Sequence, residues 1–256
     1  MIEVKHAIKS FDGRVVLKDI STVFETGKTN LIIGQSGSGK TVLMKSVVGI
    51  HRIDSGEICY DGRNITVMKR NDLNLLRREI GMLFQGAALF DSMTVLQNVM
   101  FPLEMFSSMT KDEMIERAKF CLDRVELSHA LDLFPSEISG GMQKRAAIAR
   151  AIVLNPKYLF CDEPNSGLDP KTSLLIDQLI QDITHEFNIT TIVNTHDMNS
   201  VMEIGENIAF IYKGEKAWQG TKDEIFDTGC EQLEDFIFAS NLFKQIKKAH
   251  HLFINK

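Results

Sequence analysis

Residues 34–41 read Gly34-Gln35-Ser36-Gly37-Ser38-Gly39-Lys40-Thr41. The spacing is G-x-x-x-x-G-K-[ST], the P-loop pattern of nucleotide binding. A triphosphate is anionic and needs donors on several oxygens at once. Three glycines let the backbone curl until consecutive N–H groups point inward. A helix starting here adds the positive end of its dipole. Lys40 supplies a point charge toward the β- and γ-phosphates, and the Thr41 hydroxyl is placed to ligand Mg²⁺.

Four other places carry chemistry-bearing side chains. Tyr158-Leu159-Phe160-Cys161-Asp162-Glu163 is an apolar run ending in two carboxylates, like the second nucleotide-binding element of P-loop enzymes. There the first acid, Asp162, holds the Mg²⁺ shell, and Glu163 orients or deprotonates water. Surface acids seldom terminate four apolar residues. Thr190–Thr195 is β-rich and leads to His196-Asp197. In parallel α/β sheets ligands gather at the carboxyl ends of strands, which sets His196 apart from the six other histidines. Ile80-Gly81-Met82-Leu83-Phe84-Gln85 reads as a buried strand ending in a polar group, which either reaches a bound ion or water or simply caps the strand. Ser139-Gly140-Gly141 opens an alanine-rich helix, the construction of an anion site at a helix start or of a plain N-cap.

The elements that must position these groups follow from the patterning. Leu31-Ile32-Ile33 is a buried strand before the glycine turn, and Val42–Val48 is the helix after it. Residues 2–8, Val15–Leu17 and Ile20–Phe24 read as strands, with Asp12-Gly13 a hairpin-turn signal, so the N-terminus forms a small antiparallel sheet. Phe11 sits at its turn, where it either stacks on a base or joins the core. Gly56–Tyr60 is another hairpin arm, and a polar helix is expected at 71–78. Residues 94–101 and 110–127 have helical spacing. In the second, Met114, Ala118, Cys121, Leu122 and Val125 share one face. Pro102 and Pro135 punctuate this region. A helix is expected at 171–187. Residues 207–219 read as two edge strands, Ile208–Tyr212 and Lys216–Gln219. From 231 the chain is helical, with Leu233, Phe236, Ile237, Leu242, Phe243 and Ile246 on an apolar side.

The chain has 256 residues, 44% hydrophobic and 25% charged, the make-up of a soluble globular protein. A net charge of −5 argues against nucleic acid as the partner. The four cysteines lie far apart without a C-x-x-C, so they read as reduced thiols. The first residues lack the apolar stretch of a signal peptide, and no run reaches the ~18 apolar residues of a membrane span. The expectation is a cytoplasmic protein that meets a membrane only through a partner.

The ordered set Gly34–Thr41, Gln85, Ser139–Gly141, Asp162-Glu163, Ser166–Asp169 and His196 resembles the ATPase domain of ABC transporters. The resemblance covers essentially the whole chain. It implies an α/β fold: a P-loop NTPase (RecA-like) core with an N-terminal antiparallel β subdomain and an ABC-type α-helical subdomain at about 86–150. The domain would span 1–230, with 231–256 a C-terminal helical extension. Phe11 takes the adenine-stacking position, where Tyr is more usual. Residues Gly34 to Val42 cradle the nucleotide, and Thr41, Gln85 and Asp162 serve Mg²⁺. Ser139, Gly140 and Gly141 meet the nucleotide across an ATPase homodimer, and Asp169 is a further nucleotide-binding residue. Glu163 is the catalytic carboxylate, and His196 contacts the γ-phosphate. Integral membrane permease subunits would dock near residues 86–105. Met142 departs from the pattern by standing where Gln is usual, with the backbone donors and Ser139 retained.

The Ser-Gly-Gly-Met form, followed by Lys-Arg-Ala-Ala-Ile-Ala-Arg-Ala, is similar to the ATPases of lipid-asymmetry (Mla-type) phospholipid transporters and of plastid lipid importers. Residues 88–99 and 162–170 are similar too. This likeness implies phospholipid as cargo, a periplasmic lipid-binding subunit, and a place on the cytoplasmic face of the inner (plasma) membrane. Amino-acid importers and lipoprotein-release ATPases share most of these residues. A soluble ABC ATPase of DNA repair or the ribosome would carry a coiled-coil insertion or two cassettes, and neither is present. A regulatory module without turnover is disfavoured by Glu163 and His196.

Overall fold

The computed structural model describes residues 1–226 and 228–238. In chain order the strands are β1 (Ile2–Phe11), β2 (Arg14–Phe24), β3 (Thr29–Ile33), β4 (Ser55–Tyr60), β5 (Arg63–Asn64), β6 (Ile80–Leu83), β7 (Tyr158–Asp162), β8 (Thr190–Asn194), β9 (Asn207–Tyr212) and β10 (Glu215–Gly220). The helices are α1 (Lys40–Val47), α2 (Arg70–Arg77), α3 (Val95–Phe106), α4 (Lys111–Arg124), α5 (Gly140–Ile152), α6 (Pro170–Glu186), α7 (Met198–Ile204) and α8 (Glu231–Ile237).

The apolar runs form one six-stranded sheet in the order β10-β9-β3-β8-β7-β6. Its pairs are parallel except β9 with β10. Successive side chains alternate between its faces. Leu31, Ile33, Leu159, Cys161, Val193 and Phe210 enter one core with α3 to α8. Ile32, Tyr158, Phe160, Ile192 and Ile211 enter a second core, shared with α1 and the antiparallel sheet β2-β1-β4-β5. Burial on both faces explains why these strands read as continuous apolar runs. All parallel strands therefore present their carboxyl ends to one edge, where Gly34, Glu163 and Thr195 follow.

Several sequence expectations change. Residues 207–219 are not two edge strands: β9 lies between β3 and β10, and only β10 is an edge. The apolar run Ile208–Ile211 needs cover on both sides. The strand at 80–85 stops at Leu83 and is itself the other edge, with Ile80 and Met82 half-buried and Gln85 beyond its end. The two candidates within 14–24 are one strand, joined through Asp19 at φ 57° opposite a register shift in β1. Pro102 does not punctuate: it lies inside α3, which runs on to Phe106. Proline removes one helical hydrogen bond, yet Val95, Val99 and Leu103 keep one side of this helix in the core. A capping box of Thr94 and Gln97 opens it.

Helices α3, α4 and α5 pack on one another. The first turns of the C-terminal helix pack on the chain's own domain, where Leu233 and Ile237 are buried and Phe236 lies 5.5 Å from Phe210. Leu242, Phe243 and Ile246 lie outside the described residues.

Candidate nucleotide site

The loop between β3 and α1 borders a cleft of about 1310 Å³. Residues Gln35 to Val42, Lys45, Gln85, Asp162, Glu163 and His196 all line it. Four separate sheet connections thus deliver the side chains singled out by spacing to one place. Arg14, Lys18, Lys40, Lys45 and Lys213 add cationic walls, a charge balance suited to a polyphosphate.

Glycine is required locally. At Gly34 the backbone has φ 145°, and a Cβ would stand 2.2 Å from the Ile211 carbonyl oxygen. Gly39 is the N-cap of α1 at φ 111°, in the left-handed region that glycine tolerates. The Gly214 N–H donates to the Ser38 carbonyl at 2.9 Å, tying the loop to the β9–β10 turn. Lys40 is 7% exposed and donates from Nζ to the carbonyls of Gly34 (2.8 Å) and Gln35 (3.1 Å). Burial pushes its pKa down, while Glu163 and Asp162 oppose that shift. A buried cation held by two carbonyls beside carboxylates can redirect to an incoming phosphate.

Asp162 ends β7 directly opposite Asn194 of β8. Asn194 Nδ2 donates to Asp162 Oδ1 at 2.6 Å and contacts Thr41 Oγ1 at 3.4 Å. One amide therefore brackets the hydroxyl and carboxylate expected to serve the metal. Mg²⁺ prefers oxygen donors and usually binds through one or two carboxylates together with substrate phosphates. Thr41, Asp162 and the Gln85 side-chain oxygen fit that set. Gln85 Nε2 donates to Ser166 Oγ at 3.2 Å.

Glu163 has φ 47°, a conformation that is uncommon outside glycine. Its N–H donates to the Asn194 carbonyl at 2.9 Å. Its Oε1 lies 2.8 Å from His196 Nδ1, with the carboxylate side chain 17% exposed and the imidazole 68%. A mostly buried carboxylate at the rim, steadied by an imidazole, can accept a proton from water.

The other expected site residues stand elsewhere. Phe11 does not line the cleft; its ring meets His51 edge-on at 5.3 Å, with Lys9 Nζ 5.1 Å from its centre. Ser139 caps α5, accepting from the Met142 N–H at 3.3 Å, and Ser139 and Gly140 are exposed outside the chain's own cleft. Asp169 caps α6, accepting from the N–H groups of Lys171 and Thr172 (3.1 Å each) and from Thr172 Oγ1 (2.5 Å). Sequence reasoning missed Asn194, whose one signal is an amide closing a β-rich strand. It also missed Lys213 and Phe236, which tertiary packing alone brings to the cleft.

A second cavity of about 630 Å³ lies where β6, α2, α3 and α5 meet. Met82, Phe84, Phe90, Phe101 and Phe106 give it an apolar lining, with Arg78 and Arg150 at its border. Among the described residues, no helix is long and apolar enough to cross a membrane.

Comparison with known proteins agrees with this geometry. The family model for ABC transporters matches residues 17–166. The methionine import ATP-binding protein MetN of Clostridium acetobutylicum is 35% identical over 241 residues, covering 94% of this chain and 75% of that one. The probable ribonucleotide transport ATP-binding protein mkl of Mycobacterium leprae is 34% identical over 236 residues, covering 92% and 68%. Among solved structures, the dimeric ATP-binding cassette MJ0796 with ADP and Pi superposes at a TM-score of 0.78 with 32% identity, over 87% of this chain and 99% of that one. The cassette cbiO1 of Clostridium perfringens superposes at 0.84 with 31% identity, over 98% of each. The chain belongs to the ABC transporter family, as an ATP-binding subunit that hydrolyses ATP.

Proposed function

We propose that this chain powers a membrane transporter, working as a pair of cassettes on the cytoplasmic face of the inner (plasma) membrane. The observation that carries the reading is the Phe-rich cavity at β6 and α3, whose lining residue Phe84 directly precedes Gln85 of the phosphate cleft. An exposed apolar recess of this kind marks a protein-binding site. A helix of an integral membrane subunit seated there would press on the segment that carries Gln85. Ser139 and Gly140, exposed and outside the lining of their own cleft, would with Gly141 complete the site of a second protomer. The dimeric state of the MJ0796 cassette with ADP and Pi bound favours that pairing.

Within such a site Lys40, Lys45 and the loop amides hold the phosphates. Thr41 and Asp162, steadied by Asn194, would hold Mg²⁺, which neutralises charge on the phosphate oxygens. Glu163 takes the proton of the attacking water, and His196 orients that carboxylate. The Ser139–Arg150 resemblance supports a phospholipid as cargo, delivered with a periplasmic lipid-binding subunit. A second reading, import of an amino acid, is favoured by the relatives named for methionine import.

The test is purification of the intact complex. An integral membrane protein should co-purify, and Phe106→Asp should release it while the free cassette still hydrolyses ATP. Retention of the membrane subunit by that variant would sink the docking assignment. In the complex, stimulation of phosphate release by phospholipid and not by methionine supports the lipid reading, and the reverse result supports the second.

A further inference from the structure

The segment after β6 is held in an unusual shape from one helix. Ala87 and Ala88 have φ of 59° and 52°, in the left-handed region that residues with a Cβ rarely adopt. Three backbone carbonyls of this segment accept hydrogen bonds from cations of α5. Lys144 Nζ donates to the Gln85 carbonyl. Arg150 donates through Nη1 to the Ala88 carbonyl (2.8 Å) and through Nη2 to the Ala87 carbonyl (2.9 Å). Lys144 is 5% exposed, and among the described residues neither cation forms an ion pair. Burying a charge is costly unless it is hydrogen-bonded, so solubility does not account for a cation at position 144. Burial lowers the pKa of both side chains, and at Lys144 the nearby Asp162 and Glu163 work against that shift.

The same helix joins three places. Its N-cap is Ser139, its middle reaches Gln85, and its last turn reaches Ala87 and Ala88. Ala88, Phe90 and Arg150 also line the Phe-rich cavity, where the Arg150 guanidinium lies 5.9 Å from the Phe90 ring. Asn98 of α3 fixes the far side of the segment, accepting from the Phe90 N–H (2.8 Å) and donating to the Phe90 carbonyl (3.1 Å).

We propose that Lys144 and Arg150 are positioning residues for ATP hydrolysis: a two-point clamp that holds the Gln85–Ala88 backbone against α5, so that Gln85 enters the phosphate cleft only when α5 is in place. The clamp makes α5 the part that ties the Ser139 loop, the Phe-rich cavity and Gln85 into one body. This rests on the reading of Gln85 as a group that acts in the cleft.

The test compares Lys144→Met and Arg150→Met with Lys144→Arg in the full-length protein. Hydrogen exchange is read at residues 84–90 and at the phosphate loop, beside kcat and KM for ATP. Exchange at 84–90 should rise by about tenfold or more, with the phosphate loop unchanged. A misplaced group costs turnover without costing affinity, so kcat should fall by about tenfold to a hundredfold at unchanged KM. Lys144→Arg, which keeps a donor, should recover most of the rate. Unchanged protection at 84–90 in both methionine variants overturns the clamp. A loss of kcat matched by a loss of ATP affinity also overturns it, since the cations would then act on the phosphates. Gln85→Ala separates the two readings: wild-type turnover there removes Gln85 from the reaction, while faster exchange in the clamp variants still reports the clamp. If Lys144→Met does not fold, exchange in Arg150→Lys decides, because one lysine cannot reproduce both bonds of the guanidinium.

Discussion

His196 Nδ1 and Glu163 Oε1 lie 2.8 Å apart across the carboxyl ends of two neighbouring strands. With Nδ1 donating to the carboxylate, Nε2 is left without a partner among the described residues. The carboxylate is thereby aimed by a group 33 positions away in sequence. Glu163→Gln keeps the size and removes the basicity. General-base effects are typically ~10²–10⁴-fold, so phosphate release should fall by that order while ATP binding persists. Wild-type turnover in this variant would move the base elsewhere.

Lys40 is the buried cation of the phosphate loop. Lys40→Ala removes charge-assisted bonds worth about 1.5–3 kcal/mol each. Calorimetry should find ATP affinity reduced by at least tenfold. Near-native affinity would contradict the placement of the phosphates on this loop.

Asn194 touches both Thr41 and Asp162. Groups that orient metal ligands typically change metal affinity by about 10–100-fold. Asn194→Ala should therefore raise the Mg²⁺ concentration needed for half-maximal hydrolysis, with metal-free nucleotide binding little altered. An unchanged Mg²⁺ dependence would leave the amide a purely structural link between β7 and β8.

Asp177 of α6 is 1% exposed, and burial raises its pKa to about 6 from 3.8. Hydrogen bonds to Ser200 and Asn165 partly oppose the shift, and the charges of Asp197 and Glu203 reinforce it. A carboxyl raised on folding favours the folded state fully below pH ~4. That contribution is lost as pH climbs through about 6. Asp177→Asn should therefore melt higher than the parent at pH 7.5 and close to it at pH 4.5. A constant difference in Tm across that range would exclude titration of this group.

Legibility follows how local each signal is. The glycine spacing of 34–39 demands a backbone curl whatever surrounds it, and the structure shows that curl. Asp162 and Glu163 are readable because they end an apolar run that must be a buried strand, and His196 because it follows a β-rich one. Patterning alone puts the strand at 207–212 on an edge because its apolar run names no neighbour, and only the pairing with β3 makes it interior. Pro102 reads as a break because helix propensity counts the lost hydrogen bond and not the core that α3 covers. Lys144 and Arg150 look like the polar side of an alanine-rich helix. Their acceptors are carbonyls 59 and 62–63 residues away, which no spacing rule reaches.

The sequence by itself determined which chemical groups are on offer. It set a phosphate loop, a pair of carboxylates, a histidine and a capped Ser-Gly-Gly helix start, because each depends on residue type and short spacing. Only the tertiary structure decided what those groups face. Parallel pairing of β3, β7 and β8 turns three distant strand ends into one cleft, since strands laid side by side in one direction must end together. The packing of α5 against the edge strand decides which carbonyls its buried cations meet. It also leaves Ser139 outside its own cleft, facing solvent.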